Sequence, residues 1–379
     1  MLNVFERALR KSVPEKRYGG ERAWQRLVEL DRTSHATALV GPDGLGKASL
    51  LETFYSAENR LRMLKEDMRI VAAPESYPID LSTSDDIYRY FFDTIKETCT
   101  SLLLGESDWY KKDIEPMTME RCTSTADCKS RFRSLLRKLK EQGYAVTLVL
   151  DHFQEFTMPR YVNEHDPAAV ERDVGVHRTL NAIMDEQHMG LNFVVATDYD
   201  LTKVKYKEMV GSVLLRRFKP NTILLEGLDL EACKALRDDL LAGDPIQLSD
   251  SVVQQAYLWS GGIPTLLLQF LSRMYELKAQ GAVQIDVAAD VYAPLNKTCR
   301  DLLEGWLKHL DTDEKMVLQM LRDGDLSQLD LYSDAVSRLE DRGLLVRPLD
   351  APEELEFNSI ALEDYVMGME LETNAKVFY

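Results

Sequence analysis

The segment Gly41-Pro-Asp-Gly-Leu-Gly46-Lys47 has the residue types and spacing of a phosphate-binding loop, the first seven positions of G-x-x-x-x-G-K-[ST]. It follows the apolar, β-rich run His35–Val40 and opens a helix-like stretch carrying Leu50, Leu51, Phe54 and Tyr55. That strand–loop–helix setting is what such a loop requires. Glycines at 41, 44 and 46 reach backbone angles closed to other residues, so successive N–H groups can turn inward on a phosphate. The following helix adds the positive end of its dipole, and Lys47 is placed to reach the β- and γ-phosphates. The residues assigned to nucleotide are therefore Gly41, Gly44, Leu45, Gly46, Lys47, Ala48 and Ser49. The eighth position departs from the pattern. Ala48 stands where a hydroxyl would hold Mg2+, and Ser49 comes one residue, about 100° of helix, too late. Ser49 can ligate the metal only through a local shift.

A metal–nucleotide site also needs a carboxylate at the end of a neighbouring strand. Ala145-Val-Thr-Leu-Val-Leu150 is the most strand-like run in the chain and ends on Asp151, the candidate Mg2+ ligand beside Ser49. His152 comes next, and a neutral imidazole can act as a base near neutral pH. Glu155, four residues beyond Asp151, is either a second candidate base on a helical turn or a solvent-facing loop carboxylate.

Around these residues the chain alternates strand-like and helix-like stretches. Strands are predicted at His35–Val40, Arg69–Ala73, Tyr77–Leu81, Ala145–Leu150, Asn192–Ala196 and Asn221–Leu225. Between them fall helices over Glu21–Asp31, after a capped start at Ser82, over Lys129–Gln142 and over about Val174–His188. Residues 104–126 read as a polar insertion loop and 159–172 as a second loop. This alternation implies βαβ crossovers and a parallel sheet from about residue 35 to 226. Beyond Gly227 the pattern turns helical: Leu230–Leu241, Ser249–Ser260, Ile263–Lys278, Asn296–Leu310, Asp313–Leu321 and Tyr332–Arg342. A small hairpin over Leu344–Arg347 and Glu356–Asn358 then suggests a winged helix. The expected fold class is α/β, with a nucleotide-binding domain over 1–227, a helical lid over 228–290 and a winged helix over 291–379.

Composition narrows the function classes. The 379 residues are 45% hydrophobic and 29% charged, ordinary for a chain with a packed core. Acidic residues outnumber basic ones by 63 to 46, a net charge of −17, which disfavours non-specific binding to nucleic acid or anionic membrane. No apolar run approaches the roughly 18 residues of a membrane helix, and residues 1–10 lack a signal peptide's apolar middle. A cytoplasmic protein is expected. The five cysteines are odd in number and scattered, as free thiols would be.

Taken in order, these segments resemble the AAA+ and STAND-type P-loop ATPases, above all the prokaryotic archaeal-type ATPases and the Orc/Cdc6-like initiators. Tyr18-Gly-Gly-Glu21 is similar to their adenine-side box, Gly41–Lys47 to their phosphate loop, and Leu148-Val-Leu-Asp151 with Phe153-Gln154 to their metal-carboxylate strand. Trp259-Ser-Gly-Gly-Ile-Pro264 is similar to the Gly-x-Pro turn of the lid, and Asp313–Phe357 to the winged helix. The resemblance covers nearly the whole chain. It implies ATP or ADP as ligand, Mg2+, and Pro264 at the start of a helix facing the nucleotide. It also implies that Thr197 and Asp198 are either the polar sensor of the terminal phosphate or a strand-end cap. Arg216 and Arg217 are either an arginine finger for this or a neighbouring site, or partners of a helix dipole. Where the family has a catalytic glutamate, this chain has His152; with Ala48, that departure implies binding with weak or absent hydrolysis.

The charge of the C-terminal module bears on its partner. Residues 301–379 hold seven basic and nineteen acidic side chains, a net −12. On the helix that would enter a DNA groove, Arg338 and Arg342 compete with Asp334, Glu340 and Asp341. Duplex DNA carries about one negative charge per 1.7 Å of axis, so a protein partner with a basic surface is expected in place of DNA. Three functions are distinguishable: a nucleotide-dependent switch for a protein partner, an active ATPase working as a homo- or hetero-oligomer, or a scaffold whose loop binds nothing.

Overall fold

The structure, a computed structural model, describes residues 3–10, 20–33, 36–73, 83–102, 104–154, 167–198, 217–282, 284–308, 310–348 and 351–368. Helices α1 (Val4–Arg10) and α2 (Glu21–Thr33) lead into β1 (Ala36–Val40), α3 (Lys47–Phe54), α4 (Ala57–Glu66) and β2 (Arg69–Ala72). Next come α5 (Ser84–Ser101), α6 (Asp108–Asp113), α7 (Thr125–Glu141), β3 (Ala145–Leu150), α8 (Pro167–Met184), β4 (Leu191–Thr197) and β5 (Thr222–Leu224). The predicted strand Tyr77–Leu81 lies outside the described residues.

The five strands form one parallel sheet in the order β2-β3-β4-β1-β5. Its strands bury side chains on both faces, as parallel strands covered by crossover helices must. Val146, Leu148 and Leu150 of β3 join the cluster made with Phe91, Phe132 and Leu180 of α5, α7 and α8. Val149 points the other way, into the cluster formed with Leu27, Leu51 and Phe54 of α2 and α3. A strand's period of two thus divides its own residues between the two layers.

Two loop expectations need correction. Residues 104–126 are not an insertion loop: a short 3-10 turn (Leu104–Glu106) and α6 lie there, and Tyr110, Ile114 and Met119 are buried in the main core. Only a few widely spaced apolar residues anchor this segment, so no periodicity announced it. Its backbone is held instead by cations from the flanking helices. Lys96 Nζ donates to the carbonyls of Glu115 and Met117 at 2.8 and 2.6 Å, and Arg131 donates to that of Thr118 at 2.9 Å. The second expected loop, 159–172, is already helical from Pro167. A proline is tolerated there because the first turn of a helix needs no N–H.

After β5 the chain is helical: α9 (Leu230–Leu240), α10 (Asp250–Ser260), α11 (Pro264–Ala279), a π-turn (Val287–Tyr292), α12 (Ala293–Thr298), α13 (Arg300–Lys308), α14 (Thr312–Asp323) and α15 (Ser333–Asp341). The antiparallel pair β6 (Leu345–Val346) and β7 (Glu356–Phe357) follows, and α16 (Ile360–Met367) closes the described chain. One apolar cluster runs from Leu228 through Trp259, Phe270 and Trp306 to Val366, and takes in Phe5 of α1 and Leu45 of the phosphate loop. At its centre sits the Gly261-Gly262 turn. Gly262 has φ of +73°, and a Cβ there would lie 2.1 Å from the Leu228 carbonyl oxygen. No other residue fits between the exit of the sheet and the start of α11.

Candidate functional site

The phosphate loop leaves β1 at Gly41, whose N–H donates to the Thr197 carbonyl of β4 at 3.1 Å. Gly44 and Gly46 both take positive φ, +83° and +94°, and α3 starts at Lys47 itself. The loop lines a cavity of about 800 Å³. Asp151 and His152 line it with the loop, and Val4, Leu9, Leu225, Leu236 and Leu268 give it an apolar wall. A site that combines converging polar groups with apolar side chains suits an anion carrying a flat, weakly polar base.

Lys47 is almost completely buried, with 4% of its side chain exposed. Its ammonium donates to the Gly41 carbonyl at 2.6 Å and to Asp198 Oδ1 at 2.8 Å, and lies 3.5 Å from Asp43 Oδ1. Gln154 Nε2 donates to the other oxygen of Asp198 at 2.7 Å. Burial raises the Asp198 carboxyl above the ordinary carboxylate range, and the Lys47 charge opposes that rise. The sheet order explains the arrangement. β4 is the immediate neighbour of β1, so its end presents Asp198 to the loop; β3 lies one strand further out, and Asp151 with it. Asp151, at the end of β3, still lines the cavity.

The other predicted residues are placed as follows. Ala48 and Ser49 lie in the cavity wall, as does Pro264 at the start of α11. Thr197 is fully buried, and the side chain that reaches Lys47 at this strand end is Asp198. Asp151 accepts the His152 backbone N–H at 2.8 Å, and His152 holds a positive φ of +48°. Arg217 turns to its own chain, where it pairs with Asp185 and donates to Asn181 Oδ1 at 3.1 Å. Glu155 and Arg216 lie outside the described residues, as does Tyr18 of the N-terminal box.

For a metal, the donors that the fold brings together differ from the expected pair Ser49 and Asp151. Asp43, His152 and Asp198 offer ligand atoms within 4.8 Å of one another. Two carboxylates suit a hard cation such as Mg2+, and the Lys47 ammonium is the positive charge they share here.

Several functional contacts had no sequence signal. Thr265, one residue into α11, donates from its backbone N–H and hydroxyl to the Gly44 carbonyl at 3.3 and 3.1 Å. Trp306 of α13 donates its indole N–H to the Asp43 carbonyl at 3.0 Å. Helix α1 packs along α11, with Phe5 edge-on to Tyr275 and Asn3 bonded to Ser272, and so supplies part of the cavity wall. Asp43 was a variable position inside the loop pattern, and the one readable hint was its charge.

At the C-terminal end, Arg338 of α15 and Arg342 just after it are occupied. Arg338 reaches Asp311 Oδ2 at 2.8 Å and Glu314 Oε1 at 3.2 Å, and Arg342 lies 3.4 Å from Glu314 Oε1. Glu314 is 1% exposed, so all three charges are withdrawn from the surface, while Asp334 is exposed.

No protein-family model and no curated protein matches the sequence. Solved structures do. The Walker-type ATPase PABY2304 of Pyrococcus abyssi aligns over 94% of this chain and 97% of its own, at 14% identity and a TM-score of 0.56. The fold is that of this Walker-type ATPase. Cdc6 of Pyrobaculum aerophilum aligns over 96% of both chains at 14% identity and a TM-score of 0.45. Within this fold the cavity lies where open parallel sheets bind ligands, outside the carboxyl ends of the strands. Among the described residues no helix is long and apolar enough to cross a membrane.

Proposed function

We propose that this chain is an ATP- or ADP-binding, ATPase-like regulatory protein of the cytoplasm, a nucleotide-dependent switch for a protein partner with weak or absent hydrolysis. One observation carries the reading. The carbonyls of two successive residues of the phosphate loop, Asp43 and Gly44, are held by Trp306 and Thr265, that is, by the C-terminal unit and the lid. The loop cannot rearrange around a phosphate without those bonds being remade. Nucleotide in the cavity would therefore bias the angle between the sheet and everything that follows it. When bound, the nucleotide supplies the charge that the loop N–H groups and Lys47 compensate; the apolar wall from α1, α9 and α11 holds its base and excludes water. Mg2+ would be held by the carboxylates of Asp43 and Asp198, with His152 beside them and Asp151 in the same cavity.

Weak hydrolysis follows from Ala48, which offers no hydroxyl, and from His152 in place of a carboxylate base. Arg217, engaged with Asp185, also has no free charge to lend a neighbouring site. The partner is read from the C-terminal charge: if residues 291–379 form a winged helix, its groove-reading arginines are spent on Glu314 and Asp311, and the acidic face left over suits a basic protein better than DNA. The test is a titration with ADP and ATP, with and without Mg2+, beside a phosphate-release assay. Binding without turnover supports the switch; steady turnover at ordinary enzymatic rates of about 1–10³ s⁻¹ overturns it; no binding of any nucleotide leaves a scaffold.

A further inference from the structure

The phosphate loop's cation already has anionic partners. Lys47 Nζ bonds Asp198 Oδ1 at 2.8 Å and stands 3.5 Å from Asp43 Oδ1. One ammonium thus faces two carboxylates, with His152 and Asp151 lining the same cavity. Resting on the nucleotide reading above, we propose that Asp198 makes this site selective for a nucleoside diphosphate over the metal-free triphosphate.

The argument is electrostatic. A phosphate nested at the start of α3 is compensated by backbone N–H groups and the helix dipole, which no carboxylate neutralises. A further phosphate has Lys47 as its cation. Any oxygen that bonds Nζ at the usual charge-assisted length of about 2.8 Å lies within roughly 5.6 Å of Asp198 Oδ1, because that carboxylate is at the same distance from Nζ. Two unit charges at this separation repel by more than a tenfold factor in affinity, even at an effective dielectric of about 20. Asp198 cannot swing clear without cost, since Gln154 holds its second oxygen at 2.7 Å and 23% of its side chain is exposed. A neutral polar residue at this strand end would carry no such penalty. A divalent cation shared by the carboxylates and the phosphates would offset it, so the discrimination is expected in metal-free buffer and weaker with Mg2+.

The experiment is calorimetric titration of the full chain with ADP and with ATP, in EDTA and in Mg2+, for the parent and for Asp198→Asn. Asparagine keeps an acceptor for Lys47 and removes the charge. In EDTA the parent is expected to bind ADP at least tenfold more tightly than ATP, and Asp198→Asn to narrow that ratio severalfold, with Asp43 at 3.5 Å still opposing the triphosphate. Asp43→Asn, which leaves the nearer carboxylate in place, should change the ratio less. Equal affinities in the parent, or a ratio that Asp198→Asn leaves unchanged, overturns the selectivity while leaving nucleotide binding intact. Failure of every variant to bind either nucleotide, with melting transitions that show them folded, overturns the nucleotide reading and the selectivity together.

Discussion

Replacing Lys47 by alanine perturbs the protein in two separable ways. In the ligand-free protein it removes the ammonium that donates to Gly41 and Asp198, and leaves the Asp198 carboxylate with Gln154 as its remaining described hydrogen-bond donor. A hydrogen bond to a charged group contributes about 1.5–3 kcal/mol. Because 23% of the Asp198 side chain reaches solvent, part of that loss is recovered by water. The net destabilisation is expected at about 1–2 kcal/mol, a drop of a few degrees in melting temperature. With nucleotide the second effect appears. A ligand at a hundred times its Kd stabilises the folded state by about 2.7 kcal/mol, and Lys47→Ala should lose nearly all of it. Differential scanning fluorimetry over a series of ADP concentrations reads both quantities. A variant that melts lower without ligand yet gains as much from ADP as the parent would refute the assignment of Lys47 to the phosphates. One that melts at the parent's temperature would refute the Lys47–Asp198 pairing.

Four further outcomes follow from the same geometry. Ala48→Thr combined with His152→Glu should raise phosphate release above the parent's, although glutamate at the +48° φ of residue 152 should cost about 1 kcal/mol of stability; unchanged turnover would count against both residues as the missing groups. The full chain should show no micromolar binding to random duplex DNA at about 0.1 M salt, where screening acts over roughly 10 Å, and a fluorescence-anisotropy Kd below that would refute the reading of the acidic C-terminal face. Gly262→Ala should destabilise by more than about 2 kcal/mol in chemical denaturation, since its Cβ would overlap the Leu228 carbonyl and φ is positive; a change within about 0.5 kcal/mol would show that the turn is not packed as described. Burial pushes the thiols of Cys99 and Cys233 up to about 12 and those of Cys122 and Cys299 to about 11, so few are thiolate near pH 8; alkylation should be slow, led by the half-buried Cys122 and faster as pH rises, and rapid loss of four thiols under native conditions would contradict the packing.

The fold was legible where local pattern and tertiary setting agree. β3 and β4 are continuous apolar runs ending on polar residues, and they form where expected because both faces are covered. The phosphate loop was legible for a different reason: its backbone angles demand glycine, and glycines at 44 and 46 cannot be mistaken for packing residues. Sheet order was not legible, because nothing in β3 or β4 records which of them will lie against β1. That Asp198 would pair with Lys47 followed only once β4 was seen beside β1. The holds on the loop by Thr265 and Trp306 were equally invisible, being side-chain bonds to carbonyls more than two hundred residues away. Segment 104–126 hid because its anchoring comes from lysine and arginine heads bonded to carbonyls, which composition reads as a solvated surface.

The bond from Trp306 to Asp43 joins residues 263 positions apart, and α1 rests on α11 across a similar stretch. During synthesis the sheet can close once β5 has emerged at Leu224, and at that moment the phosphate loop is exposed, its apolar wall half missing and its carbonyls without donors. Domains emerging from the ribosome generally fold from the N-terminal side, yet here helix α1, made first, waits for one of the later helices to be made. The cavity is thus completed only once α11 has been made, long after its phosphate loop. Chains cut short before α11 would present an unfinished cavity with its leucines open to water, a surface that chaperones and proteases recognise.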